Sequence, residues 1–440
     1  MATVSTPTSI SGLFKKVYAD LKDILPEGYA MQEFADFDSA QKQGESINYA
    51  VHLTHENGIT LAGSTGDEVT LEGAESGIVR QASIKGCETF LASSLTTATI
   101  SRSSGDGEKA FKSATKDRVK ANIKSHQRFI EQMCLYGQDA FGIGRVAYFT
   151  GAWRNASFTD GTGSLGGVAL TNGVNVAAKK ILLNPADFAT GMWIGAEGLP
   201  VRQRAIGGAV VGTGKVVRVD LRNAIVEVDF TPVASSASAS HCLELVNQNA
   251  ASGKDFIGAK SILSTTGTVF GISNVDFGIW KGSTVDMGGV KMTFPRLMDV
   301  LTEAHGKGLD SDVLVLVNFE SWTDLMTEQA ALRKFDESYV PTEAVNGMKG
   351  ITFHSVNGLV TVKPSRFMRR SDALVLAKGD WKRVGSSDIQ MGVPGAEGDL
   401  LIKPISTNAY RYMSYSDQAL LCLCPAKSVY VSGIVPESAV

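Results

Sequence analysis

Apolar residues between Ile10 and Ile24 fall at Leu13, Val17, Leu21 and Ile24, spacings of four, four and three that predict one amphipathic helix. Pro26 and Gly28 stop it. From Asp36 to Glu45 the chain is polar and shows no core pattern, so the first 45 residues read as an arm and not as a domain. At Ser46 the period changes to two. Ile47, Tyr49, Val51 and Leu53 alternate with polar residues, Glu56-Asn57-Gly58 predicts a hairpin turn, and Ile59 and Leu61 return. Asn-Gly is a strong turn signal because both positions tolerate positive φ. Val69 and Leu71 continue the pattern toward Ser104 through a Gly-, Ser- and Thr-rich stretch with few large apolar residues. An excursion so poor in apolar mass cannot bury itself. It must lie against the rest of the chain or against a neighbouring subunit.

Asp106 to Tyr136 is the clearest helix. Ser104 or Asp106 can cap it, and Glu108 sits in the first turn near the positive end of the dipole. Val119, Ile123, Ile130 and Met133 mark an apolar stripe interrupted by His126 and Gln127, and Gly137 ends the helix. Its other faces carry Lys109, Lys112, Lys116, Arg118, Lys120, Lys124 and Arg128 against Glu108, Asp117 and Glu131. Seven against three is a local surplus of four positive charges.

Gly151 to Gly173 reads as a glycine-rich loop. Val216 to Leu221 and Ile225 to Phe230 form a second hairpin about Arg222-Asn223, and Ala234 to Ser240 is a Ser/Ala linker marking the edge of an insertion. Pro295 to His305 predicts a helix with Pro at its start and Gly306 after its end. Val313 to Val317 predicts a buried strand, and Ser321 to Leu332 a helix whose Trp322, Leu325, Met326 and Ala330 face a core. Short strands follow at Ile351 to Phe353, Val360 to Val362 and Leu374 to Leu376, and strand patterns at Leu400 to Ile405 and Tyr410 to Cys424 close the chain. Helices and strands mix, so the class is α+β with mixed sheets.

Composition adds boundaries to this picture. A chain of 440 residues has room for two or three domain-sized units. It is 43% hydrophobic and 20% charged with 46 glycines and a formal charge of −3, so it folds and shows no global basicity. The N-terminal ten residues lack the basic and apolar regions of a signal peptide. The longest apolar runs, Val313 to Val317 and Ala419 to Cys424, are too short to span a bilayer. The expectation is a soluble protein made in a cytoplasm. Five cysteines is an odd number that does not suit a disulfide framework. Cys422 and Cys424 share a face of a strand whose Leu-rich neighbours argue for burial rather than metal binding.

No catalytic signature stands out in the sequence. Ala209 to Val216 carries Gly214-Lys215, but Ala209 replaces the first glycine of a phosphate loop and Val216 its Ser or Thr. Gly161, Gly163 and Gly166 match a bare Gly-x-Gly-x-x-Gly string with no helical pattern after it, and no Gly-x-Ser-x-Gly elbow occurs. His52 and His55 point to opposite faces of a strand, His126 reads as a satisfied interfacial histidine, and His241, His305 and His354 have no Cys or His at metal-site spacing. The sequon Asn155-Ala156-Ser157 matters only in a secreted chain. The basic helix has two readings of equal weight: a sequence-independent contact to nucleic-acid phosphates, or a face neutralised by another subunit.

The order of elements (arm, long β hairpin, long helix, α+β body, strand-rich end) resembles the major capsid protein of tailed bacteriophages, a shell fold also used by lambdoid phage capsids and encapsulins. Leu135-Tyr136-Gly137-Gln138-Asp139-Ala140-Phe141-Gly142 is similar to the end of that family's spine helix. Leu314 to Leu325 resembles its apical domain, as do Asn346-Gly347-Met348-Lys349-Gly350-Ile351-Thr352-Phe353 and Asn357-Gly358-Leu359-Val360. Tyr410-Arg411-Tyr412 through Pro425 resembles the closing strands of its peripheral domain.

The resemblance implies an N-terminal arm at 1–45, an extended hairpin loop at 46–104, spine helix and peripheral domain at 105–200, an inserted hairpin and linker at 200–265, a mainly apical domain at 266–400, and closing peripheral strands at 401–440. It implies a virion protein, assembled in the bacterial host cytoplasm, that forms hexamers and pentamers of an icosahedral shell around double-stranded DNA. Portal and scaffolding proteins, and a decoration protein, are the further partners it brings, with no cofactor, no metal, no membrane and no catalytic residue. Lys109, Lys112, Lys116, Lys120, Lys124 and Arg128 are then an interior DNA-facing or inter-subunit face, and Asn57 and Gly58 the hairpin tip that touches a neighbour. The alternatives are an encapsulin-like shell with protein cargo, and a two-domain cytoplasmic enzyme.

Overall fold

Two clusters of buried apolar side chains, one on each side of a six-stranded sheet, organise the described residues of this computed structural model. The structure describes residues 28–39, 46–98 apart from 65, 67, 72 and 74, 108–137, 142–145, 164–165, 168–169, 174–175, 180–205, 210–231, 241–245, 255–333, 351–392 apart from 357, and 408–437. The expected helix at Ile10 to Ile24, the caps at Ser104 and Asp106, most of the loop from Gly151 to Gly173, the linker Ala234 to Ser240 and the strand Leu400 to Ile405 lie outside them.

The six-stranded sheet runs in the order Ser283–Val290, Val429–Ile434, Ala373–Ala377, Val313–Val317, Leu359–Pro364, Ile351–His354 and mixes parallel with antiparallel pairs. Val313, Val315 and Val317 join Val375 and the helix residues Leu297, Val300, Leu301 and Leu325 in one cluster. Leu314, Leu316, Leu374 and Leu376 join the opposite cluster with Tyr136, Phe188 and Trp193. Burial on both faces is why Val313–Val317 and Ala373–Ala377 are unbroken apolar runs and not alternating ones. The helices Phe294–Gly306 and Phe319–Arg333 supply the outer layer as expected.

The long helix, Glu108–Tyr136, lies on a four-stranded sheet of order Phe37–Ser39, Trp381–Met391, Ala409–Cys422, Cys87–Thr96. His126 joins the layers: its Nε2 meets Thr89 Oγ1 at 2.7 Å and its Nδ1 meets Ser414 Oγ at 2.8 Å. The helix ends where Gly137, at φ 39°, crosses Gly258; a Cβ on Gly137 would stand 2.3 Å from the Gly258 nitrogen. Beside that crossing the Tyr136 hydroxyl accepts from Arg369 N at 3.0 Å, and the Arg369 guanidinium lies 4.1 Å from the Tyr136 ring centroid.

The hairpin at Val210–Asp220 and Ile225–Thr231 forms with its turn at 221–224, but it belongs to a seven-stranded sheet with Pro200–Ala205, His241–Leu245, Lys180–Leu182 and two short strands. Val201, Val216, Val226, Val228 and Leu243 enter the large core, so the inserted hairpin packs against the body. The C-terminal strands also divide. Ala409–Cys422 is an inner strand of the long helix's sheet, between Trp381–Met391 and Cys87–Thr96, whereas Val429–Ile434 enters the six-stranded sheet between Ser283–Val290 and Ala373–Ala377. Val429 and Val431 are needed there to fill the core beneath the outer helices.

Candidate assembly surfaces

Ser46–His52 pairs antiparallel with Val79–Lys85 over its whole length, from Ser46↔Lys85 to His52↔Val79. The base of this arm is anchored. Ala82 and Ile84 are buried, the Tyr49 hydroxyl donates to the Cys422 carbonyl at 3.2 Å, and Ser83 N donates to the Phe270 carbonyl at 2.8 Å. Beyond His52 the two runs are joined by the bridge of Asn57 and Glu75, whose backbone groups exchange bonds of 3.1 and 2.7 Å. Ile59, Leu61 and Leu71 are 90%, 87% and 82% exposed. Asn57 and Gly58 therefore sit partway along the arm and not at its tip. The strand that returns is Val79–Lys85, because Ile59 and Leu61 meet no core that would hold them in register.

The nominated basic residues divide along the long helix. Lys109, Lys112 and Lys116 lie in its first turns, where the side chains are outside the described residues. Lys120 is exposed and Lys124 half-buried, and the steps of three, four, four and four from Lys109 to Lys124 put all five lysines on one face. Arg128 leaves this group. Its Nη2 donates to the Met192 carbonyl at 2.6 Å, and burial lowers its pKa. Glu131, counted above among the solvent-facing charges, is fully buried.

Glu131 belongs to a clamp that the sequence did not announce. Residues 29–39 cross the long helix as a strap containing one short helix, Ala30–Phe34, and the strand Phe37–Ser39, which pairs in parallel with Trp381–Met391. The two carboxylate oxygens of Glu131 accept from the backbone nitrogens of Met31 and Gln32 at 2.8 and 3.0 Å. At the other end, Arg383 Nε donates to the Ala35 carbonyl at 3.0 Å, and its Nη1 contacts Asp388 at 2.9 Å. A carboxylate at the start of a helical turn and a guanidinium at its end both oppose the local dipole. Gln32 Nε2 and the Tyr29 hydroxyl donate to the Gln127 and Lys124 carbonyls at 2.6 and 3.1 Å, while Met31 and Ala35 fill the core. Burial pushes the Glu131 carboxyl up to about 7, against the pull of the two N–H groups. Burial likewise holds His126 down to about 4 and pushes the Cys134 thiol up.

Among the described residues no group of three or more His, Cys, Asp or Glu side chains could hold a metal ion. His52 and His55 are exposed, and His305 bonds the Leu309 carbonyl at 2.9 Å and Ser355 Oγ at 2.8 Å. Among the described residues, too, no helix is long and apolar enough to cross a membrane.

No protein-family model matches the chain, and no curated protein matches it in sequence. Its structure is similar to the capsid asymmetric unit of cyanophage A-1(L), with a TM-score of 0.51 at 10% identity over 98% of this chain and 99% of that one. It also aligns with the capsid of a native GTA particle, at TM-score 0.46 and 8% identity over 98% and 100% of the two chains. The encapsulin complex of Synechococcus elongatus follows at 0.40 and 7%, over 94% and 92%. With the arm, the long helix on its four-stranded sheet and the mixed six-stranded sheet all in place, the fold of this chain is the capsid-shell fold of the tailed bacteriophages.

Proposed function

We propose that the chain is a major capsid protein, a subunit that assembles as hexamers and pentamers into an icosahedral shell around double-stranded DNA in the virion. The observation that carries this reading is the arm. Ile59, Leu61 and Leu71 stand almost wholly in solvent on a stem anchored by Ile84 and Tyr49. Burying three such side chains in a neighbour stabilises the contact by roughly 5–8 kcal/mol before the cost of ordering is subtracted. A role built from contacts also fits a chain whose buried His126 bonds Thr89 and Ser414 and whose Cys134, Cys242 and Cys422 are buried.

Portal, scaffolding and decoration proteins are the partners such a shell uses, and packaged DNA would be met through phosphates without sequence preference. Negative-stain electron microscopy of the expressed full chain tests the reading: rings of five and six, or closed shells, are expected. Uniform monomers across salt and concentration would refute it. Particles filled with one folded cargo protein instead of DNA would move the reading to an encapsulin-like compartment.

A further inference from the structure

The strap of residues 29–39 is fastened at its two ends by different chemistry. A guanidinium and strand pairing hold the far end. Arg383 Nε donates to the Ala35 carbonyl, Arg383 N donates to the Asp36 carbonyl at 2.9 Å, and Phe37–Ser39 pairs with residues 383–385. The near end hangs on a carboxylate. Glu131 is fully buried and turns both oxygens to the N–H groups of Met31 and Gln32. Among the described residues no Lys or Arg side chain pairs with it. The other bonds at this end are neutral ones, from Gln32 Nε2 and the Tyr29 hydroxyl to helix carbonyls, with Met31 as the apolar anchor. A carboxylate kept from water without a cation is held at a cost that protonation removes.

We infer that the Tyr29–Glu33 end of the strap is a latch worked by the proton of Glu131, closed while that side chain is neutral and opening locally about Ala35 when it ionises. The device needs one subunit only and so goes beyond the shell reading. Opening returns the carboxylate to water, which favours the charged form when open and the neutral form when closed. The neutral acid still offers its carbonyl oxygen to one of the two N–H groups, so closure gives up one bond and is relieved of the buried charge. The surrounding groups do not reverse this balance. On the strap, Glu33 repels the ionised form. On the helix, Cys134 is a buried thiol, Lys124 lies two turns away, and Arg128 is turned to the Met192 carbonyl with Tyr29 and Glu197 near it. On the sheet, Arg383 and Asp388 answer each other at 2.9 Å, and Asp417 bonds Ser386. Burial therefore dominates and raises the carboxyl to about 7, which sets the latch to work near neutral pH.

Hydrogen–deuterium exchange of the full-length chain tests it, read by mass spectrometry at pH 5.5 and 8.0 and divided by the intrinsic amide rate at each pH. A carboxyl at the ordinary 4.5 when open and at about 7 when closed gives a roughly 30-fold loss of protection at Met31 and Gln32 on going to pH 8.0. Protection across Phe37–Ser39 is expected to stay level, because its bonds run to the strand Trp381–Met391 and not to Glu131. Glu131→Gln cannot ionise and is expected to be level at both ends. Glu33→Gln, a change at an exposed position, removes a repelling charge and is expected to make the loss smaller. Level protection at Met31 and Gln32 in the unaltered chain would overturn the latch. An equal loss at both ends would also overturn it, by showing that the strap opens as one piece. Both readings come from the unaltered chain, so they hold whether or not a variant folds, and neither depends on particles forming.

Discussion

Replacing Glu131 by Gln isolates the proton chemistry of the strap. In the folded chain the carboxyl is raised from the ordinary 4.5 to about 7, chiefly by burial. An acid with a raised pKa binds its proton more tightly folded than unfolded. Its contribution is therefore most favourable below the unfolded value and is lost as pH rises toward the folded one. Between pH 5.5 and 8.0 these two values give a loss of about 2 kcal/mol. Glu131→Gln cannot ionise, so that slope vanishes, while one of the bonds to Met31 N and Gln32 N is retained by the amide oxygen. His126 shifts in the opposite sense, but it is common to both chains and cancels in the difference. Urea denaturation of unassembled subunits at the two pH values measures it. The unaltered chain should lose about 2 kcal/mol more than the variant on going to pH 8.0. Parallel pH profiles would show that Glu131 is not held as a buried, proton-sensitive acceptor.

Gly258→Ala should destabilise the subunit by about 3 kcal/mol or more. Its Cβ would lie 2.5 Å from Gly137 N and 2.8 Å from the Met133 carbonyl, with only backbone to yield; an unchanged melting temperature would rule out that crossing. His126→Asn should flatten the acid side of the stability profile. The buried ring resists a proton, so stability is lost as pH falls from 6.5 toward about 4 in the unaltered chain alone, as thermal melts from pH 7 to 4 would read. Replacing residues 53–78 by Asn-Gly should leave a folded body that forms no shells, since His52 and Val79 are already paired and a two-residue turn can join them. Normal particles from that deletion would show that the arm is not an assembly element.

Elements governed by local pattern were legible in the sequence. Val313–Val317, the hairpin of Val210–Asp220 with Ile225–Thr231, and the helix Phe294–Gly306 appear as read, because apolar runs, alternation and terminal Pro report burial directly. Elements defined by a distant partner were not. Trp381–Met391 is a strand of 11 residues, yet irregularities between Val384 and Ser387 and between Ser387 and Gln390 break its alternation, and polar Ser-Ser-Asp occupies its middle. Phe37–Ser39 exists as a strand only because Arg383 and its neighbours accept it in register. Glu131 looked like a surface charge, since its partners are backbone nitrogens 100 and 99 residues away that carry no side-chain signature. Asn57-Gly58 misled in the other direction: a strong local turn signal was overridden because the apolar partner that fixes the register, Ile84 opposite Ile47, comes more than 20 residues later. His126, an interruption in an apolar stripe, is the satisfied contact between layers that its position suggests.

Where the arm goes when many copies meet decides whether this chain builds a shell. Cryo-electron microscopy of particles formed by the full-length chain answers this directly. Rings of five and six in a closed shell, with Ile59, Leu61 and Leu71 of each copy buried against its neighbour, are the predicted result. Particles whose arms fold back on their own subunit, or a chain that stays monomeric under every condition, would contradict it.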